Sequence, residues 1–328
     1  MSFTRRRLLI ASALAACAPL RAAAQQTLPR IATVFSGSRE VMKVYEEAFL
    51  AGMRERGYAA GRNFVFEPRY AGGDVSRYAP LTDEVLALKP TILIGANTPQ
   101  SLLMKAGAPN LPIVLATSGD PVADGLVQSL ARPGGMVTGV STQLPEIGAK
   151  HIELIKEALP SVRRVALLID PTGSRQQNER YEKLAMAAAA ARGMSAQTYS
   201  AGAEDAVRQA FRRMQTDRPD ALVIFLSPRL NALRRELIEH AMLMRLPTIA
   251  HQEHFALEGG LMAYGPNFAD GWRRTAYFVD RILKGAKPSD LPIEQPAKFD
   301  FVVNLATAKQ LGVTFSPALL VRADQVVR

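Results

Sequence analysis

The sequence predicts an α/β protein built as two Rossmann-like lobes, each around a parallel sheet, joined by a multi-segment hinge. Three observations predict it. Continuous apolar runs of strand length alternate with amphipathic helix-length segments from residue 30 onward, which is how a parallel sheet buried on both faces reads. The pattern runs to about residue 141 and then restarts with no Ser/Gly linker. The 328 residues, 48% of them hydrophobic, exceed one usual domain and suffice for two medium-sized cores.

The first unit reads as strand 31–35, helix 41–56, strand 64–70, helix 75–88, strand 91–95, a helix from Pro99, strand 113–116 and strand 136–141. Lys89-Pro90 and Leu111-Pro112 fit strand entries, where proline is tolerated. The second unit reads as helix 146–158, strand 164–169, helix 176–192, strand 195–200, helix 205–215, strand 221–226, helix 231–245, and strands 247–250 and 261–264. The remaining helix 270–284, Pro-bearing loop to Pro296, strand 299–303 and helix 306–311 are too few for a third domain. They are expected to pack on the lobes already built. The chain then returns to the first lobe near Asn267 and crosses again near Asn304, which gives lobe I as 28–140 plus about 267–303. Lobe II is 141–266 plus about 304–328.

The first 24 residues read as an export signal. Arg5-Arg6-Arg7, an apolar run over 8–16 and Ala22-Ala23-Ala24 form a charged region, a short apolar region and a small-residue cleavage site. The run is too short to span a bilayer as a permanent helix. Twin-arginine and ordinary secretory export both fit, and both place the mature chain in the periplasm. Leu14-Ala15-Ala16-Cys17 also resembles a lipobox, so cleavage after Ala24 stands beside lipidation at Cys17, the sole cysteine.

Removing residues 1–24 lowers the formal charge from +10 to +6. The mature chain has no Lys/Arg block and no aromatics interleaved with basic residues, so no nucleic acid is expected as a partner. Without cysteine it would hold together by apolar burial. Nucleotide motifs fail: Arg132-Pro133-Gly134-Gly135-Met136 leads into a strand where a phosphate loop opens a helix, and three spaced glycines do not follow the first strand. Gly139-Val140-Ser141-Thr142-Gln143 lacks the second glycine of a nucleophile elbow. His251-Gln252-Glu253-His254 does not match the spacing of a common helical zinc site. No catalytic residue, metal or cofactor is expected.

Small polar residues recur at the C-terminal ends of the strands in both halves: Ser36, Asn97, Thr98, Ser118, Asp120, Asp170, Thr172, Ser227 and His251. Ligands of open α/β sheets bind there, where loop side chains and helix N-terminal N–H groups converge. Singly, Asn97, Thr98, Ser118 and Asp170 are also good helix caps. As a facing series they are the candidate ligand-binding residues, with Thr98 beside a helix N-terminus placed to hold a carboxylate and Asp120 to meet an ammonium. Phe35, Tyr264 and Phe268 are the aromatic side chains nearest these ends.

Several segments also resemble a family. AFLAGMRERGY over 48–58, Gly119-Asp120-Pro121-Val122, LARPGGMVTGVS over 130–141, EGGLMAYGPN over 258–267 and ILKGAKP over 282–288 look like the ABC-transporter substrate-binding proteins often compared with tryptophan-binding proteins. The resemblance covers nearly the whole mature chain. It implies a type I periplasmic binding protein fold with a three-segment hinge that closes on one ligand. It further implies no catalytic residues, and as partners a small-molecule ligand with an ABC permease and its ATPase subunits in the inner membrane. A monomer is expected. Asn97 stands where the family often has Gly; Asp170 stands where it has Asn and Ser174-Arg175-Gln176-Gln177 is more polar than the family pattern, a departure that speaks against aromatic amino acid specificity. A ligand sensor without transport, or an exported two-lobed transferase, would share the two lobes.

Overall fold

The computed structural model describes residues 28–328. The export signal and Cys17 lie outside the described residues. Within them, β1 (Arg30–Phe35), α1 (Arg39–Glu55), β2 (Val65–Tyr70), α2 (Tyr78–Ala87), β3 (Ile92–Gly95), α3 (Thr98–Gly107), β4 (Ile113–Ser118) and β5 (Val137–Ser141) build the first sheet and its crossovers. All of its strands are parallel, in the order β2-β1-β3-β4-β5. The second unit follows with α4 (Ile147–Ala158), β6 (Arg164–Ile169), α5 (Arg175–Ala191), β7 (Ser195–Ser200), α6 (Glu204–Asp217), β8 (Ala221–Phe225), α7 (Pro228–Ala232), α8 (Arg234–Leu243), β9 (Thr248–Ala250), α9 (Glu253–Leu257) and β10 (Met262–Pro266). After these come α10 (Phe268–Leu283), β11 (Phe299–Asn304), α11 (Leu305–Leu311), α12 (Pro317–Arg322) and β12 (Gln325–Val327). The second sheet runs β12-β11-β10-β9-β8-β6-β7 and is parallel except between β10 and β11.

Each sheet carries a core on both faces because side chains alternate along a strand. In the first sheet Ile31, Phe35, Ile92, Ile94 and Val114 meet Phe49 of α1 and Trp272, Ala276 and Val279 of α10. Ala32, Val34, Leu93, Ile113 and Leu115 face the opposite way onto Tyr78, Val85 and Met104. In the second sheet Val165, Leu167, Ile169 and Val223 face α4 and α5, and Ala166, Leu168, Leu222 and Ile224 face α6 and α8. Burying each large side chain contributes about 1.5–3 kcal/mol, enough over four such faces for two cores without a disulfide. Helix α10 lies so close to α1 that a Cβ on Gly52 would sit 2.4 Å from the backbone oxygen of Arg273. That glycine in the 48–58 motif therefore sets the approach of the two helices.

The tail differs from expectation in one respect. Strand 299–303 was expected in lobe I; β11 instead pairs antiparallel with β10 in the second sheet, Met262 opposite Val303. The Pro-bearing loop makes the crossing. Ile293 N–H donates to the Leu130 carbonyl (2.8 Å), Glu294 N–H to Gly139 (2.9 Å) and Ser141 N–H to Glu294 (2.8 Å), so residues 293–294 run beside β5. The chain then leaves the first sheet over 295–298, before the strand and not after it, and Asn267 N–H donates to Lys298 C=O (3.1 Å) where two crossings meet. The apolar Phe301, Val302 and Val303 match either sheet, and this is why their pattern did not identify the partner. The helix expected over 231–245 is two, because Ser227 caps a short helix that Pro228 opens and the chain turns at Leu233 before α8.

Candidate functional site

The C-terminal ends of β1, β3 and β4 face those of β8 and β9 across a narrow cleft. It holds a cavity of about 90 Å³ lined by Phe35, Ser36, Met42, Tyr45, Ala96, Asn97 and Thr117 from the first unit. The second unit and the crossings supply Leu144, Leu226, Pro228, Asn231, His251, Gln252, Phe268 and Trp272. None of these carries a charge at neutral pH, because burial holds His251, the one titratable group near that range, well below its ordinary pKa and therefore neutral.

One wall is aromatic. Phe35 stacks on Tyr70 (5.4 Å between centroids) and packs at a tilt against Trp272 (4.7 Å), which stacks on Tyr45 (6.5 Å). Opposite, the His251 ring lies 5.8 Å from Phe225 and 5.9 Å from Phe268. The close fit of β10 fixes His251, since a Cβ on Gly265 would fall 2.0 Å from the His251 carbonyl oxygen.

Two buried polar atoms near the cleft lack partners, which costs free energy. His251 Nδ1 and Tyr78 Oη make no hydrogen bond. Burial pushes the Tyr78 phenol up to about 12, with Asn97 and Ser36 near enough to pull it partway back. Asn231 Oδ1 accepts from His254 Nε2 (2.7 Å), which leaves the Asn231 amide NH2 as the free donor.

The nine residues expected from sequence fall into three groups. Ser36, Asn97 and His251 line the cleft, and Asn97 at the same time caps α3 by accepting from Gln100 N–H (3.1 Å). Thr98, Ser118 and Asp120 lie at a seam between the lobes: Thr98 Oγ1 is 3.0 Å from Ser118 Oγ and accepts from Gln177 Nε2 at 3.1 Å. Asp120, expected to meet an ammonium, faces Arg180 of α5 at 3.5 Å and caps its own turn through Ala123 N–H. Asp170, Thr172 and Ser227 satisfy one another, with Asp170 Oδ1 accepting from Thr172 and Oδ2 from Ser227 Oγ (2.6 Å). Of the aromatic candidates Phe35 and Phe268 reach the cleft, whereas Tyr264 stacks on Phe299. Sequence reasoning missed Tyr45 and Trp272, which lie inside helices; their helical spacing signals only a buried face.

Two further spaces adjoin the cleft. A recess past Tyr45, His251 and Phe268 is lined by Glu253 and Asp300. Behind Phe268 a cavity of about 140 Å³ lies among Thr142, Gly271 and the Arg274–Glu294 ion pair, at the three crossings.

The chain is similar to known binding proteins over most of its length. A tyrosine-binding protein of Clostridioides difficile (strain R20291) is 22% identical over 275 residues, 82% of this chain and 76% of that protein. The ABC domain from Streptococcus pneumonia, solved in complex with L-Trp, superposes with a TM-score of 0.84 at 24% identity, covering 92% of this chain and all of that one. A conserved domain protein from Vibrio cholerae gives a TM-score of 0.83 at 24% identity over the same shares. These likenesses identify the type I periplasmic binding protein fold. A model of the family described as ABC transporter substrate binding protein matches residues 31–327, and the chain belongs to that family of ligand-capturing receptors.

Proposed function

We propose that this protein encloses one small organic solute, an amino acid or a related carboxylate or amide, in the cleft between its lobes and presents it to an ABC permease and its ATPase subunits. The observation that carries the reading is the cleft itself: an aromatic wall and uncharged polar side chains from both lobes, Ser36 and Asn97 opposite Asn231 and His251, converge where the strands end. Ser36, Asn97 and His251 touch the solute in this reading, joined by Tyr45, Asn231 and Trp272. Thr98, Ser118 and Asp120 act at the seam that closes over it, and Asp170, Thr172 and Ser227 hold the second lobe's loops in place.

Proteins of this family are extracellular or periplasmic solute binders. Export by residues 1–24 and a monomeric state without catalytic activity complete the proposal. Lobe I then comprises 28–140 with α10 and the strip to about residue 294, and lobe II the remainder. The tyrosine and L-Trp bound by the relatives put ring-bearing amino acids first in a test panel.

The test is a thermal-shift screen of the mature chain followed by small-angle scattering with each hit. A true ligand at 100 times its Kd adds about 2.7 kcal/mol of stability and lowers the radius of gyration. A solute that stabilises the chain and leaves it expanded would remove the closure part of the reading; turnover of the solute would remove the receptor part.

A further inference from the structure

We propose that the cleft selects an uncharged solute, a planar amide or ring base whose carbonyl or ring-nitrogen acceptors meet the Asn97 amide of one lobe and the Asn231 amide of the other. The inference rests on the cleft being the ligand site and narrows the solute to a class without an ionised carboxylate or ammonium.

Each amide is fixed in one orientation by a bond to its oxygen. Asn97 Oδ1 accepts from Gln100 N–H at 3.1 Å as the cap of α3, and Asn231 Oδ1 pairs with His254 Nε2 at 2.7 Å. In both cases the NH2 is the group left over. Among the described residues neither NH2 has a hydrogen-bond partner, and the Tyr78 hydroxyl near Asn97 lies outside bonding distance. Asn231 is only 9% exposed, yet its Nδ2 keeps accessible surface, which at that depth belongs to the spaces the residue lines. A donor aimed into an enclosed space calls for an acceptor on the molecule that fills it.

Charge limits what that molecule can be. No Asp, Glu, Lys or Arg lines the cleft. The ionised side chains expected or found nearby have other partners: Asp120 faces Arg180 at 3.5 Å, Asp170 accepts from Thr172 and Ser227, and Arg234 holds Glu258 at 2.7 Å. Thr98, expected to hold a carboxylate at the start of α3, is bonded instead to Ser118 and Gln177, and the Gln100 N–H of that helix end is taken by Asn97. A carboxylate or ammonium enclosed here would lose its water and gain no counter-charge. That costs far more than burying a neutral amide that finds its partners. The Phe35, Trp272 and Tyr45 rings form a wall suited to a flat solute.

The experiment measures three matched sets on the mature chain at neutral pH by calorimetry and thermal shift. They are benzamide, benzoate and benzylamine; nicotinamide, nicotinate and picolylamine; and indoleacetamide, indoleacetate and tryptamine. At least one uncharged member is expected to bind, and its matched acid and amine to bind at least about tenfold more weakly. Asn97→Asp keeps the α3 cap and Asn231→Asp keeps the oxygen that His254 uses, while each puts a carboxylate oxygen where the NH2 stood. Each variant should weaken the uncharged hit at least about tenfold and leave the melting temperature of the unliganded protein nearly unchanged. The matched amine should bind Asn231→Asp more tightly than it binds the wild type, a gain that misfolding cannot produce. Equal or tighter wild-type binding of the charged partner, or unchanged affinity in both variants, overturns the inference; a bound solute that still compacts the chain then leaves the receptor reading standing. A panel in which no uncharged member binds overturns it as well.

Discussion

Gln177 of α5 reaches from the second lobe to Thr98 at the start of α3 in the first, its Nε2 donating to Thr98 Oγ1 at 3.1 Å. The same amide donates to Asp124, whose other oxygen accepts from Ser174 Oγ at 2.6 Å. Burial raises the Asp124 carboxyl, and the donors from Ser174 and Gln177 oppose the rise. These bonds exist only while the lobes touch, so they bias the open-to-closed equilibrium without contacting the ligand. Gln177→Ala removes two of them and leaves Asp124 under-satisfied, at about 1–2 kcal/mol. Ligand affinity should fall roughly tenfold and the unliganded radius of gyration should rise. If calorimetry and scattering are both unchanged, the seam has no part in closure.

Trp272 is the sole tryptophan of the chain and forms part of the cleft wall, 4.7 Å from Phe35. Intrinsic fluorescence is therefore a single-site report on the cleft. Ligand entry should change the intensity or position of the emission, and Trp272→Phe should abolish that signal while calorimetry still detects binding. Trp272→Ala is a different perturbation, expected to cost about 3–5 kcal/mol in a urea titration because a 2% exposed side chain leaves a cavity. A ligand that binds with no change in wild-type emission would place it away from this wall.

The doubled α/β pattern was legible because buried parallel strands are short and continuously apolar, and the strand-end series was legible because ligand crevices form there. Two kinds of information were not. Partner choice of a strand is invisible in its own pattern: the residues of β11 read equally well in lobe I, and only the pairing with β10 puts them in the second sheet. Side chains such as Tyr45 and Trp272 come from helices, and helical periodicity does not distinguish a core face from a ligand wall. The motif glycines have a plain physical meaning only in three dimensions: a Cβ on Gly119 would meet the Gln177 amide oxygen at 2.2 Å. Gly119→Ala should thus displace the latch amide and mimic Gln177→Ala in part.

Asp170 stands at a strand end where a ligand residue is expected, and its geometry instead suits loop organisation. It is 3% exposed and accepts three hydrogen bonds, from Thr172 N–H (2.9 Å), Thr172 Oγ1 (2.6 Å) and Ser227 Oγ (2.6 Å). Asp170→Ala should lower stability by about 2–3 kcal/mol in a urea titration, since three donors lose their acceptor. Ligand affinity of the folded variant should change by less than about threefold. A large affinity loss with little loss of stability would return Asp170 to the ligand.

His151 lies where α4, α5 and the end of β10 meet, fully buried. Its Nε2 pairs with the Tyr264 carbonyl oxygen (2.7 Å), which only accepts, so Nε2 carries the proton and Nδ1 accepts from Tyr181 Oη (2.8 Å). Burial lowers its pKa from 6.5 to about 4, opposed by the Tyr264 bond. Above pH 6.5 both folded and unfolded states hold a neutral ring and stability is at its full value. As pH falls, the unfolded chain takes up a proton that the folded one refuses, so stability declines down to about pH 4. At 1.36 kcal/mol per pH unit the interval is worth about 3 kcal/mol. His254, lowered to about 4 by burial and then Arg234, and the deeply lowered His251 act in the same direction. Urea midpoints should therefore drop between pH 7.5 and pH 5 in the wild type. His151→Gln, which cannot take up the proton, should be less stable at pH 7.5 and lose less on acidification; a drop as large as the wild type's would show that His151 does not carry this dependence.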